Sequence, residues 1–247
     1  MSVLEVADLR KNFGGVAAVG GISFQLAAGE MLALIGPNGA GKSTCFNLLN
    51  GQLRPDGGLV RLDGADIIGL PPRRIARLGV GRTFQVAAIF VSMTVRENVQ
   101  TALAAYHRST WRLWRDGGAQ HVMEADRLLA QVGLQGQAER AAGLLAYGDL
   151  KRLELAVALA GRPRLLLMDE PTAGMAPAER GALMRLVRGL TGAAGVGVLF
   201  TEHDMDVVFG IADRILVLHR GRLIAEGDAV EIRGNVEVQA VYLGTGG

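Results

Sequence analysis

The chain has 247 residues, of which 49% are hydrophobic and 20% charged, which excludes a disordered protein and allows one large domain or a core domain with an inserted one. The formal net charge of +2, without a dense Lys or Arg run, is too small to indicate a nucleic-acid partner. A single cysteine excludes a disulfide framework, and the absence of a signal-like N-terminus or a membrane-spanning apolar run predicts a cytoplasmic chain.

The first third of the chain is predicted to alternate between strands and a helix. Apolar or alternating patterns predict strands at 3–9, 22–26, 31–35, 58–64 and 79–85. A helix is predicted at 44–52, after the third of these strands. Cys45 falls in its first turns, where we expect a small buried hydrophobe.

The strand pattern then fades from residue 86 to about 161 and resumes afterwards. Helical periodicity and caps occur at 92–106, 121–134 and 149–161. Strands are predicted again at 164–169, 196–203 and 214–227, with a helix at 176–190. This layout predicts an α/β fold interrupted by one helical block. We expect a catalytic core of residues 1–86 and 162–247 and a helical subdomain of residues 87–161.

The most specific motif is "GPNGAGKS", which fits the phosphate-binding P-loop pattern and follows a predicted apolar strand. Its glycines let the backbone approach a ligand, and its N–H groups with the helix N-terminus can hold an anion. Lys42 is expected to contact the β- and γ-phosphates, and Ser43 to give its hydroxyl to Mg²⁺. The alternative, an ordinary glycine-rich turn, is disfavoured by the strand and helix around it. The predicted nucleotide contacts here are Gly36, Pro37, Asn38, Gly39, Ala40, Gly41, Lys42, Ser43 and Thr44.

Polar residues at the ends of two apolar strands are the candidate catalytic and metal groups. Asp169 ends "LLLMD", a strand expected beside the P-loop strand, and would hold Mg²⁺ through water. Glu170 can orient or deprotonate the water that attacks the γ-phosphate, unless both carboxylates simply begin a surface turn. His203 ends "VGVLFTEH", where a γ-phosphate sensor fits better than a structural histidine. Gln85, between core and helical block, is weak evidence alone.

In this order the motifs resemble those of the nucleotide-binding subunits of ATP-binding cassette (ABC) transporters, over nearly the full chain. Gln85 matches the Q-loop, "LAYGD" the signature, "LLLMDE" the Walker B strand, "TAGMAP" the D-loop, and His203 the switch histidine. The resemblance implies ATP hydrolysis by a P-loop NTPase (RecA-like) core with flanking antiparallel β strands and an inserted α-helical subdomain. It gives Gln85 a catalytic and magnesium-binding role. It also implies that Phe13 stacks on adenine, although Phe13 could equally be a core residue.

The resemblance also implies partners. Two such subunits, identical or paralogous, pack head to tail, so that each ATP lies between one P-loop and the other subunit's signature, here Ala146, Tyr147 and Gly148, at a helix N-terminus. Two transmembrane permease subunits dock near Gln85, and a periplasmic or extracellular solute-binding protein acts indirectly. The expected location is the cytoplasmic face of the inner membrane, with no nucleic-acid partner.

Within the family, "LAYG", "GRTFQ" followed by "MTVRENV", and "DEPTAGMAP" most resemble subunits of branched-chain amino acid importers. Ala146 and Tyr147 replace the common Ser-Gly of the signature, Asp149 replaces a common Gln, and Met175-Ala176 replace the usual D-loop pair. Because a carboxylate would repel the γ-phosphate at contact distance, we expect Asp149 to point away from the nucleotide and to cap its helix. The alternatives are a urea, amide or lipid transporter, a soluble cassette ATPase of translation or DNA repair, and a P-loop kinase.

Overall fold

The computed structural model describes residues 2–83, 89–107 and 121–243. Within these ranges the strands are β1 (Ser2–Phe13), β2 (Val16–Ala27), β3 (Met31–Ile35), β4 (Gly57–Leu62), β5 (Ala65–Asp66), β6 (Val80–Thr83), β7 (Leu165–Asp169), β8 (Gly197–Thr201), β9 (Arg214–His219) and β10 (Arg222–Gly227). The helices are α1 (Lys42–Leu49), α2 (Pro72–Arg77), α3 (Val95–Tyr106), α4 (Val122–Gln131), α5 (Tyr147–Ala160), α6 (Pro177–Ala194), α7 (Met205–Ile211), α8 (Ala229–Gly234) and α9 (Val236–Leu243).

The strands form two sheets. The larger has the order β10-β9-β3-β8-β7-β6, with β10 antiparallel at one edge and the other strands parallel. The smaller sheet is antiparallel, in the order β2-β1-β4-β5. The predicted α/β core with flanking antiparallel strands is therefore confirmed.

The uniformly apolar β3 is explained by burial on both faces of the larger sheet. Met31, Ala33 and Ile35 belong to a hydrophobic cluster that includes residues of α3, α4, α5 and α6. Leu32 and Leu34 belong to the opposite cluster, with residues of the antiparallel sheet and α1. Since neither face meets water, no polar alternation is needed.

Helices α3, α4 and α5 lie between β6 and β7 in the sequence, where the helical block was predicted. The start of α3 is set by a capping box: Thr94 Oγ1 accepts from the Glu97 N–H (3.1 Å), and a Glu97 carboxylate oxygen accepts from the Thr94 N–H (2.7 Å). The predicted boundary between core and helical subdomain, at 86/87, lies outside the described residues.

Two details of the sheet differ from expectation. β7 does not lie beside the P-loop strand β3, because β8 pairs in parallel with both and separates them. The segment 214–227 forms two strands, not one. Arg220 and Gly221, with φ of +48° and +78°, turn the chain between β9 and β10.

Cys45 lies in α1 and is fully buried, as predicted. Among the described residues, no helix is both long and apolar enough to cross a membrane.

Candidate nucleotide-binding site

The P-loop occupies the turn from β3 into α1, and two of its glycines are required by close backbone approach. Gly36 has φ +152°, and a Cβ there would lie 2.0 Å from the Leu218 carbonyl oxygen. Gly41, the N-cap of α1 at φ +109°, would place a Cβ 2.2 Å from the Ala18 carbonyl oxygen. No side chain caps α1, so the N-terminal amides of this helix keep their capacity to bind an anion.

Lys42 begins α1 and lies with its amine folded over the loop. Its Nζ donates to the carbonyl oxygens of Gly36 (2.6 Å) and Pro37 (3.1 Å). Burial lowers the pKa of this amine, and the negative charges of Glu170 and Asp169 partly oppose that shift. The lysine is therefore held near both carboxylates at the mouth of the loop. Ser43, next in the helix, is exposed.

Thr201, the last residue of β8, joins the two candidate carboxylate residues. Its Oγ1 donates to Asp169 Oδ1 (2.7 Å) and accepts from the Glu170 N–H (3.0 Å). Asp169 itself is only 8% exposed. One buried hydroxyl thus fixes the side chain of Asp169 and the backbone of Glu170 at the carboxyl edge of the sheet.

Glu170 and His203 contact each other directly. Nε2 of His203 lies 2.9 Å from Oε1 of Glu170, at hydrogen-bonding distance. The histidine side chain is 51% exposed and the glutamate side chain 23% exposed, so this pair faces the solvent side of the edge. Glu170 also has φ +48°, a sparsely populated conformation for a residue with a side chain. The turn after β7 therefore holds this carboxylate in a strained backbone.

Two further residues at this edge were missed by the sequence analysis. Glu202 is buried, and its carboxylate accepts from the Thr172 N–H (2.8 Å) and hydroxyl (2.7 Å). Arg82 in β6 has its Nη2 3.6 Å from Asp169 Oδ2 and also donates to Asn47 Oδ1 (2.9 Å). The polar residues "TEH" directly after an apolar run indicate that Thr201 and Glu202, like His203, lie at the site. No such pattern marks Arg82, which lies within a short strand.

The signature segment contacts the turn that follows Glu170. Ala146 is the exposed N-cap of α5 and offers no side-chain cap. Tyr147 begins the helix, its ring lies against Gly174, and its hydroxyl donates to the Ala173 carbonyl oxygen (2.9 Å). Gly148 follows, close to Glu179 of α6. The signature and the D-loop of one chain are thus in contact.

The expectation that Asp149 caps α5 is wrong. The helix begins two residues earlier, so Asp149 lies within the first turn, and its Oδ2 accepts from Gln137 Nε2 (2.7 Å). It lines a cavity of about 690 Å³ beside the signature turn. The carboxylate is held by a neighbouring amide instead of by helix amides.

Phe13 and Gln85 complete the predicted site residues. Phe13 ends β1, is 49% exposed, and has Lys11 Nζ 5.7 Å from its ring centroid, so it is not a core residue. Gln85 lies outside the described residues.

The fold defines an ATP-binding cassette, together with the P-loop and the polar residues at the carboxyl edge of the larger sheet. This part of the molecule is called the P-loop edge below. Residues 19–173 match the sequence model of the family described as ABC transporter. The chain is 43% identical, over 98% of both chains, to the high-affinity branched-chain amino acid transport ATP-binding protein BraF of Pseudomonas aeruginosa. It is 40% identical, again over 98% of both, to the corresponding protein LivG of Escherichia coli K12.

Solved structures give the same assignment. The ADP conformation of MJ1267, an ATP-binding cassette of an ABC transporter, has a TM-score of 0.88 and 31% identity, over 99% of both chains. A nucleotide-free cassette from an ABC transporter has a TM-score of 0.86 and 31% identity, over 98% of this chain and 99% of the other. The chain belongs to the ABC transporter family, as one of its ATP-binding, ATP-hydrolysing subunits.

Proposed function

We propose that this subunit binds Mg-ATP at the P-loop edge and that its hydrolysis powers the import of branched-chain amino acids. The observation that carries the nucleotide part is the grouping of Lys42, Asp169, Glu170 and His203 beside the P-loop. The phosphates would bind to the loop amides, the N-terminus of α1 and Lys42.

The oxygen donors at this edge fit Mg²⁺. The Ser43 hydroxyl and the Asp169 carboxylate are hard oxygen ligands, which Mg²⁺ prefers, and it commonly retains several waters. Gln85 is the third proposed ligand. Thr201 donates to Oδ1 of Asp169, and Oδ2 lies 3.6 Å from Arg82 Nη2. When bound, Mg²⁺ would neutralise charge on the β- and γ-phosphates.

Glu170 and His203 are proposed to act on the hydrolytic water and the γ-phosphate. The Glu170 carboxylate can accept a proton from water or orient it, and it already accepts a hydrogen bond from the imidazole. His203 Nε2 could transfer that hydrogen bond to a γ-phosphate oxygen, which would release the carboxylate for water. The backbone bond from Glu170 to Thr201 keeps the carboxylate at the sheet edge during this exchange.

A second cassette is proposed to complete each site. The N-terminus of α5 is uncapped and exposed at Ala146 and carries the positive end of a helix dipole, which suits a γ-phosphate brought by another subunit. Tyr147 and Gly148 would form the rest of this contact. The partner cassette is identical or paralogous, and packs head to tail.

The cargo and the membrane partners rest on the relatives and on one groove. BraF and LivG are named for high-affinity branched-chain amino acid transport, and they are similar to this chain over nearly its full length. A groove of about 570 Å³ lies between α2 and β6 on one side and α3 and α5 on the other. Its lining includes Ile75, Ala105, Tyr106 and Ala158. We assign this groove as the docking surface for the permease subunits, of which the transporter has two. A solute-binding protein would act on the other side of the membrane, and this chain would lie on the cytoplasmic face.

The groove assignment is tested by two matched substitutions at exposed alanines. Ala105→Glu on α3 places a charge in the groove and should abolish co-purification with the permease subunits and leucine uptake by reconstituted vesicles. Ala130→Glu on α4, which does not line the groove, should leave both intact. ATP binding by the isolated chain should be unchanged in each variant. Equal uptake by the two variants would refute the assignment of the groove to permease docking. Vesicles that hydrolyse ATP but accumulate no branched-chain amino acid would refute the proposed cargo.

A further inference from the structure

Two histidines and a glutamate form a compact cluster in the helical block, apart from the P-loop edge. His107 follows the last turn of α3, His121 is the N-cap of α4, and Glu124 lies in the first turn of α4. Their ligand atoms all lie within 4.8 Å of one another. Within the described ranges, this is the only group of three or more His, Cys, Asp or Glu residues that meets this distance.

The distances in the cluster are close to those of a tetrahedral metal site. Glu124 Oε2 lies 3.3 Å from His107 Nε2 and 3.7 Å from His121 Nδ1. Zinc–ligand bonds of 2.0–2.2 Å at tetrahedral angles separate neighbouring ligand atoms by about 3.3–3.5 Å. Two edges of the tetrahedron therefore already exist to within a few tenths of an ångström.

The ring orientation defines the movement that a metal would require. The imidazoles are stacked, with centroids 4.9 Å apart and planes 9° from parallel. A metal ion lies in the plane of each imidazole that binds it, so one ring must rotate about its Cβ–Cγ bond. The side chains are 35% (His107) and 20% (His121) exposed, so both reach solvent.

A basic residue already orients the carboxylate. Arg162, just after α5, donates to Glu124 Oε1 (3.0 Å), which leaves Oε2 facing the two imidazoles. A ligand carboxylate held by a second hydrogen-bonding group is typical of protein metal sites.

We propose that His107, His121 and Glu124 bind one divalent transition-metal ion, for which Zn²⁺ is the best match. Two imidazoles, one carboxylate and an open fourth position for water suit zinc better than Mg²⁺ or Ca²⁺, which prefer oxygen ligands. The ion would connect the end of α3 to the start of α4 on either side of residues 108–120. It would act as a structural link within the helical block, independent of the nucleotide.

Calorimetric titration of the full chain with ZnCl₂, without nucleotide, tests the site. We expect one Zn²⁺ per chain and a rise in melting temperature on zinc addition. His121→Asn should weaken binding at least tenfold, since loss of even an outer hydrogen-bonding group commonly costs 10- to 100-fold. Asn tolerates the left-handed conformation of residue 121 (φ +61°), so the variant should fold. His107→Gln is the second variant and should weaken binding equally.

Two controls separate this cluster from the other histidines. His219→Ala should leave zinc binding unchanged. His203→Ala removes the contact with Glu170 and should also retain one bound Zn²⁺, because the cluster is elsewhere. In wild type, Co²⁺ should give the visible absorption of a four- or five-coordinate site, and His121→Asn should abolish it. Zinc binding that survives both His121→Asn and His107→Gln, that is lost in His203→Ala, or that is absent from wild type would overturn the proposal.

Discussion

Thr201→Val removes the hydroxyl that joins Asp169 to the Glu170 backbone while nearly preserving side-chain shape. Thr201 is fully buried, so no water replaces the lost group directly. The Glu170 N–H keeps a second acceptor, the Thr201 carbonyl oxygen at 3.2 Å, and is not orphaned. The main loss is therefore the 2.7 Å hydrogen bond to the Asp169 carboxylate.

The expected magnitude follows from the charge of that carboxylate. A hydrogen bond to a charged group contributes about 1.5–3 kcal/mol, and a neutral one about 0.5–1.5 kcal/mol. For a chain of this size each kcal/mol corresponds to a shift in melting temperature of about 2–4 °C. Thr201→Val should therefore lower the melting temperature by about 3–12 °C. ATP turnover should fall by about 10- to 100-fold, because small displacements of catalytic groups cost this much.

Thr191→Val is the matched control. Thr191 is also fully buried, and its hydroxyl donates at 2.7 Å to the neutral carbonyl of Val187 within α6. Thermal unfolding and steady-state ATP hydrolysis are measured for both variants. The control should lose less stability and retain full turnover. If the two variants are indistinguishable in both measurements, Thr201 does not organise the site.

Three other perturbations address single groups. Lys42→Ala should abolish ATP hydrolysis in the assembled transporter, because it removes the amine held at the phosphate loop; near-normal turnover would remove Lys42 from the site. Glu170→Gln should keep ATP binding but lower turnover by about 10²- to 10⁴-fold and accumulate ATP-bound dimers in size-exclusion chromatography, because an amide cannot take the proton; a variant that hydrolyses normally contradicts the general-base role. Burial raises the pKa of Cys45 to about 12, so at pH 8 the native thiol stays protonated and should resist maleimide until the chain unfolds; equal labelling of native and unfolded protein by mass spectrometry would contradict this.

Much of the fold was predictable because burial and motif chemistry leave strong local patterns. β3 was predicted with its observed bounds, since five consecutive apolar residues before a glycine-rich loop fit a strand buried on both faces. The ends of β7 and β8 were placed at Asp169 and near His203 because polar residues follow apolar runs there. These patterns depend on neighbours in sequence, which is why they could be read directly.

The strand order and the helix start could not be predicted in the same way. β3, β7 and β8 are all uniformly buried, so their composition does not distinguish neighbours in the sheet. The predicted start of α5 is too late because its N-cap, Ala146, has no side chain that can cap the helix. Asp149, in contrast, is a residue type that is common at N-caps. The contact between Tyr147 and Ala173 depends on tertiary packing, which has no local signature.

The position of β8 between β3 and β7 has a mechanical consequence. Hydrogen-bonded ladders join β8 to both neighbours. The three strands that lead into the P-loop, Asp169 and His203 therefore form one rigid unit. Sliding one of these strands past another would break many backbone hydrogen bonds at once. Core strands generally open only at a free-energy cost close to that of global unfolding. Nucleotide-dependent motion must therefore arise from side-chain rotation at the carboxyl ends of these strands and from surrounding elements that are held less tightly.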